Sequence, residues 1–122
     1  NTLIGGLSGD AITTGGNNVA MGLNSLGSNT GAFSNVAIGV RALQNFNVTT
    51  ATSTYNVAIG EDAGGAFTTG IHNTILGSLA GDALTDADLN VAVGYLALSA
   101  DTLGRSLREA RTLLWALLQG TL

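Results

Sequence analysis

The chain has 122 residues, a length for one domain rather than two. Its 45% hydrophobic share comes mainly from Ala, Val, Ile and Leu, with only 5% aromatic and 10% charged residues, so it lacks the bulky side chains of a rounded core. A formal charge of −4, no cysteine and no lysine exclude a broad basic nucleic-acid face, a disulfide framework, a thiolate metal site and a lysine-bearing phosphate loop.

Eighteen glycines and no proline point to many tight turns, and the apolar runs between the glycines argue against disorder. No apolar run reaches the ~18 residues of a membrane-spanning helix. The chain starts without Met and shows no signal peptide, so it reads as a fragment or a processed piece.

Taken in chain order, one pentapeptide recurs six times. It is NTLIG from Asn1, NVAMG from Asn18, NVAIG from Asn35 and from Asn56, NTILG from Asn73 and NVAVG from Asn90. The starts lie 17, 17, 21, 17 and 17 residues apart, so the third repeat holds four extra residues, within the polar stretch from Asn45 to Tyr55. Counting the Asn as position one, positions two to four spell a short strand between Asn and Gly. Val36 and Ile38, at positions two and four, then share one face of the strand. Position three takes the other, with Ala20, Ala37, Ala58 and Ala92 beside Leu3 and Ile75.

Gly5, Gly22, Gly39, Gly60, Gly77 and Gly94 end the strands, where positive φ or a close backbone approach is expected. Asn at the head of each unit tolerates the left-handed region and bonds its own backbone. Small residues follow at position eight: Ser8, Ser25, Ala42, Ala63, Ala80 and Ala97. Thr13, Thr30, Thr68, Thr85 and Thr102 occupy position thirteen in five of the six units, which predicts a second strand or a threonine-lined corner in each coil. Six coils stacked at the ~4.8 Å strand spacing make a rod about 29 Å tall.

The pattern stops near Leu103. Residues 105–122 carry Arg105, Arg108 and Arg111, and the spacing of Leu107, Ala110, Leu114 and Leu117 predicts a short amphipathic helix, a neck or a cap. The expected organisation is a β-solenoid domain over 1–104 followed by that helix.

The recurring NVAIG unit, with its small residue and Thr/Gly turn, resembles the YadA-like head repeat of trimeric autotransporter adhesins and similar repeats of phage tail fibres. The resemblance covers roughly Asn1 to Gly104, and the uniform 17-residue period, longer than many adhesin heads use, leans toward the phage-like branch. It implies a left-handed parallel β-roll, three chains side by side, no catalytic site and no cofactor. It also implies an extracellular place, on a bacterial surface or a virion tail fibre, with a host receptor or glycan as partner.

The residues independently suggest a covered face, since position three is apolar throughout. The expected subunit contact is therefore Ala20, Ala37, Ala58 and Ala92, extended by Leu107, Leu114 and Leu117.

Other constellations are weaker. His72, the one histidine, reads as a solvated turn residue, and Trp115 reads as packing within the leucine stretch. Asp82, Asp86 and Asp88 match no calcium-loop spacing, and the adjacent Glu61 and Asp62 project in different directions along an extended backbone. Three classes remain: a structural or adhesive fibre segment, an ice-binding solenoid using the threonine column, and a glycan-active enzyme, which would need paired carboxylates on one face. The first is the expectation.

Overall fold

The structure, a computed structural model, describes residues 1–100. The predicted helix, with Leu107, Leu114 and Leu117, lies outside the described residues, as do Thr102 and Trp115.

Each pentapeptide forms one strand: β1 (Thr2–Ile4), β2 (Val19–Met21), β4 (Val36–Ile38), β6 (Val57–Ile59), β7 (Thr74–Leu76) and β8 (Val91–Val93). Two further strands, β3 (Ala32–Phe33) and β5 (Thr52–Ser53), form a separate parallel pair. The six pentapeptide strands make one parallel sheet in the order β1-β2-β4-β6-β7-β8. Its register follows the repeat, with Leu3, Ala20, Ala37, Ala58, Ile75 and Ala92 in one row. The protein is an all-β solenoid of stacked coils. Only one strand per coil is general, because among the described residues the second segment pairs as strand in just two coils.

Stacking requires sharp corners, and each coil makes them with left-handed residues at the same places. These are position five (always Gly), position seven (Leu7, Asn24, Arg41, Asp62, Leu79, Leu96), position nine (Gly9, Leu26, Leu43, Gly64, Gly81, Leu98) and the residue before each Asn. The last column is Asn17, Ser34, Tyr55, His72 and Leu89, so the left-handed residue is the one before the repeat Asn rather than the Asn itself. An L-residue there costs roughly 1–2 kcal/mol. Hydrogen bonds between coils over-determine the geometry: the position-seven N–H groups of Asn24, Arg41, Asp62, Leu79 and Leu96 each donate to position six of the coil before.

The core lies between the sheet and the opposite wall. Ala20, Ala37, Ala58 and Ile75 are fully buried and Ala92 nearly so, packed within their own chain. This corrects the expected subunit contact, because position three points into the solenoid. Leu3, in the first of the described coils, is 41% exposed. The small alanines leave room for a column of larger residues at position twelve, with Phe46, Phe67 and Leu84 buried and Ile12 packed against the cluster. Asn29 holds that place in the second coil and closes its own turn, accepting from the Ala32 N–H at 3.0 Å and donating to the Ala32 carbonyl at 3.2 Å.

Positions three and nine complement each other in volume. Leu3 and Ile75 stand with Gly9 and Gly81, while Ala20 and Ala37 stand with Leu26 and Leu43. A Cβ on Gly9 would come within 2.8 Å of the Leu3 side chain, and one on Gly81 within 3.2 Å of Ile75. In the fourth coil Ala58 and Gly64 are both small, and Phe67 fills the space, 2.5 Å from where a Gly64 Cβ would sit.

Candidate interaction surfaces

The repeat Asn residues form a buried ladder. Asn18, Asn35, Asn56, Asn73 and Asn90 each donate a backbone N–H to the Oδ1 of the Asn one coil earlier, beginning at Asn1, at 2.9–3.0 Å. The side-chain amides of Asn35, Asn73 and Asn90 reinforce it at 3.0–3.1 Å. One carboxamide thus satisfies groups on two coils in a place water does not reach, which explains why the strands are headed by Asn.

The insertion interrupts the ladder in a defined way. The offset between coils, 17 residues in the main sheet before the insertion, is 20 at Ala32 and Thr52 and reaches 21 at Asn35 and Asn56. Three of the four added residues therefore fall before β5, and one, Thr54, after it. Thr54 is fully buried, and its hydroxyl donates to Asn35 Oδ1 at 2.7 Å, the bond a neighbouring Asn amide makes elsewhere. Asn56 keeps only the bond of its amide to the Gly70 carbonyl at 2.8 Å, the counterpart of the bond from Asn73 to Ala87.

The outer face of the main sheet is built from positions two and four: Thr2, Ile4, Val19, Met21, Val36, Ile38, Val57, Ile59, Thr74, Leu76, Val91 and Val93. Ten of these twelve are apolar. Ile4 is 54% exposed and Val93 66%, and none of the twelve is buried. A sheet face turned to water ordinarily alternates polar with apolar against its core face, so a solid apolar outer face is a feature with a cause.

Beside this face, Arg41 bridges coils. Its guanidinium donates to Asp62 through Nε at 2.7 Å and Nη2 at 2.6 Å, and Nη2 also reaches Glu61 at 3.1 Å. The hydrogen bond and charge of Arg41 hold the Asp62 carboxyl below the usual carboxylate range, and the same contacts raise the guanidinium. The two carboxylates that adjacency alone would send apart are thus gathered by one cation.

The threonine corner is a stacked column. Thr13 and Thr68 donate their hydroxyls to the carbonyls of Thr30 and Thr85, each at 3.2 Å, and Thr30 donates to Asn47 Oδ1 at 2.8 Å. Asn47 takes the threonine place in the third coil. Of the acidic residues, Asp88 accepts the N–H of Ile71, one coil earlier, at 2.8 Å, and Asp86 accepts the hydroxyl of its neighbour Thr85 at 3.3 Å. Among the described residues no cluster of His, Asp and Glu is arranged to hold a metal, and no helix is long and apolar enough to cross a membrane. His72 is exposed and stacks on Tyr55 with ring centroids 5.5 Å apart and planes 12° from parallel.

No family model matches the chain, and neither a curated protein nor a solved structure matches it.

Proposed function

We propose that the chain is a non-enzymatic structural and adhesive module that packs three abreast, a segment of a trimeric surface adhesin or a phage tail fibre that attaches to a host surface or spaces another domain from it. The observation that carries this reading is the apolar outer sheet face. Three copies turned inward on that face would cover Val19, Met21, Ile38, Ile59 and Val93 without disturbing any core residue. The contact surface of the proposal is therefore positions two and four, in place of the alanine row.

A solenoid suits this work, because neighbour-to-neighbour hydrogen bonds along the axis make a stiff rod from short units. Its place is extracellular, on a bacterial surface or a virion tail fibre, in keeping with the NVAIG resemblance. The threonine column supports an ice-binding role less well, since the hydroxyls of Thr13, Thr30 and Thr68 are turned to neighbouring coils.

Sedimentation equilibrium of the full chain tests the assembly. The expected particle has three times the mass of the 12.2 kDa chain. A single-chain mass at every concentration would remove the trimer and leave an isolated solenoid.

A further inference from the structure

Among the described residues the one interruption of the repeat and the one stacked pair of aromatic rings fall together. Tyr55 follows directly on Thr54, the last inserted residue, and the His72 N–H donates to the Thr54 carbonyl at 2.8 Å. Insertions in repeat proteins collect on the face that binds.

Core packing does not explain this pair. Tyr55 is 56% exposed and His72 is exposed, so neither ring gains the burial that favours an aromatic side chain. Both also occupy the left-handed column, with φ of 52° and 59°, where the other coils place Asn17, Ser34 and Leu89. Asn is an inexpensive residue for such a backbone, and Tyr is not.

Polar groups frame the stack on both sides. Toward the insertion lie the exposed Thr50, Thr52 and Ser53, with the Thr50 and Thr52 hydroxyls 3.4 Å apart. Toward the next coil, exposed Asp88 caps the N–H of Ile71, the neighbour of His72, with one carboxylate oxygen at 2.8 Å. The frame thus offers hydroxyls and a carboxylate. Arg41, the one arginine or lysine among the described residues, is held at another corner by Glu61 and Asp62.

We infer that Tyr55 and His72, framed by Thr52, Ser53 and Asp88, form a binding site for a neutral glycan. The inference rests on the adhesive half of the proposed function. A pyranose ring offers C–H groups that pack against an aromatic ring and hydroxyl donors that a carboxylate and protein hydroxyls can meet. An acidic glycan, a phosphate or a nucleic acid would meet Asp88 with no free lysine or arginine among the described residues to offset it. Both rings are exposed, so each copy binds weakly and a trimer gains by engaging three sugars of one surface at once.

The experiment is backbone-amide NMR of the full chain, titrated with neutral trisaccharides of glucose, galactose and mannose and with an acidic trisaccharide containing sialic acid. Shifts confined to Thr52, Ser53, Tyr55, His72 and Asp88 with at least one neutral sugar are the expected result. Tyr55→Asn and His72→Asn should each weaken binding at least tenfold with the fold retained, because Asn17 already occupies the equivalent place in the first coil. Asp88→Asn gives a third reading should an aromatic variant fail to fold.

Silence toward all three neutral sugars, undiminished binding by the folded variants, or preference for the acidic sugar would overturn the inference. So would a Tyr55→Asn variant that changes the mass of the particle, since the stack would then be a subunit contact. The mass of the parent protein is read separately: a monomer that binds neutral sugar keeps the site and removes the trimer, and a trimer that binds none does the reverse.

Discussion

Gly39 stands where two coils come closest. Its φ is 130°, and a Cβ built there would lie 2.5 Å from the Gly60 carbonyl oxygen of the next coil. Gly39→Val is therefore expected to cost about 3 kcal/mol or more, combining backbone strain with a clash that no side-chain rotation relieves. Gly94 has a similar φ of 120° but no described residue within 4 Å of its Cβ position. Gly94→Ala should lose less, about 1–2 kcal/mol, from strain alone. Denaturant midpoints of the two variants check this, and equal losses would mean that contact between coils does not set the glycine requirement.

Arg41 and Asp62 predict a pH effect at the same scale. Pairing lowers the Asp62 carboxyl in the folded protein, so its contribution is complete above the ordinary carboxylate range and is lost as pH falls through the depressed value. Both side chains are partly exposed, so the effect is small. Asp62→Asn should melt slightly below the parent near neutral pH, with the gap closing in acid. A gap that persists at low pH would point to a contact other than the ion pair.

The strand is the scale at which most of the fold was legible and one part was not. The period, the bounding Asn and Gly and the place of the insertion are all written in the repeat. The direction of the side chains is not, because Val36 and Ile38 on one face and Ala37 on the other are all apolar, and alternation shows which residues share a face without showing which face is inside. The deciding signal lay nine residues into each coil, where Leu3 and Ile75 go with Gly, and Ala20 and Ala37 with Leu. The left-handed residues at positions seven and nine, many of them leucines, had no such signal, since stacking imposes them against local preference.

The pairing of positions three and nine is itself testable. Ala37→Ile alone overfills the third coil, and Leu43→Gly alone empties it, each with an expected loss of about 2–3 kcal/mol. The double variant copies the arrangement of Ile75 with Gly81 and should recover at least half of the summed loss in a double-mutant cycle. Strict additivity would show that the two positions do not share a space.

Within the insertion, Thr54→Val should cost about 1 kcal/mol by removing a donor from buried Asn35, leaving only the Asn56 N–H on that oxygen. Deleting residues 49–51 together with Thr54 should cost less, since a uniform 17-residue offset would let Asn56 make the bond to Asn35 that Asn73 makes to Asn56. A deletion that melts well below Thr54→Val would show instead that the loop itself is needed for packing.

At the scale of the whole molecule the question is what covers the sheet. A solenoid with alanines turned inward has a thin interior, and its stability comes chiefly from the repeated interface between coils, where Asn and Gly columns fix the spacing. Nothing in that interior calls for apolar residues on the outside, because strands with polar residues at positions two and four would fold as well. On the proposed reading the outer apolar rows serve association rather than folding, and the two can be separated by substitution.

Ile38→Lys and Ile59→Lys place a charge on the outer face without entering the core. In a trimer closed through this face they should weaken association at least tenfold, which is about 1.4 kcal/mol or more, while the circular dichroism of a β-rich fold is retained. Thr13→Lys and Thr68→Lys put the same charge on the threonine corner and should leave the mass of the particle unchanged. If the corner lysines dissociate the particle and the sheet lysines do not, the subunits meet through the threonine column and the sheet face is free for another partner. If neither set changes the mass of an oligomeric parent, association runs through residues beyond the described solenoid, and the apolar sheet is not the contact that holds the assembly together.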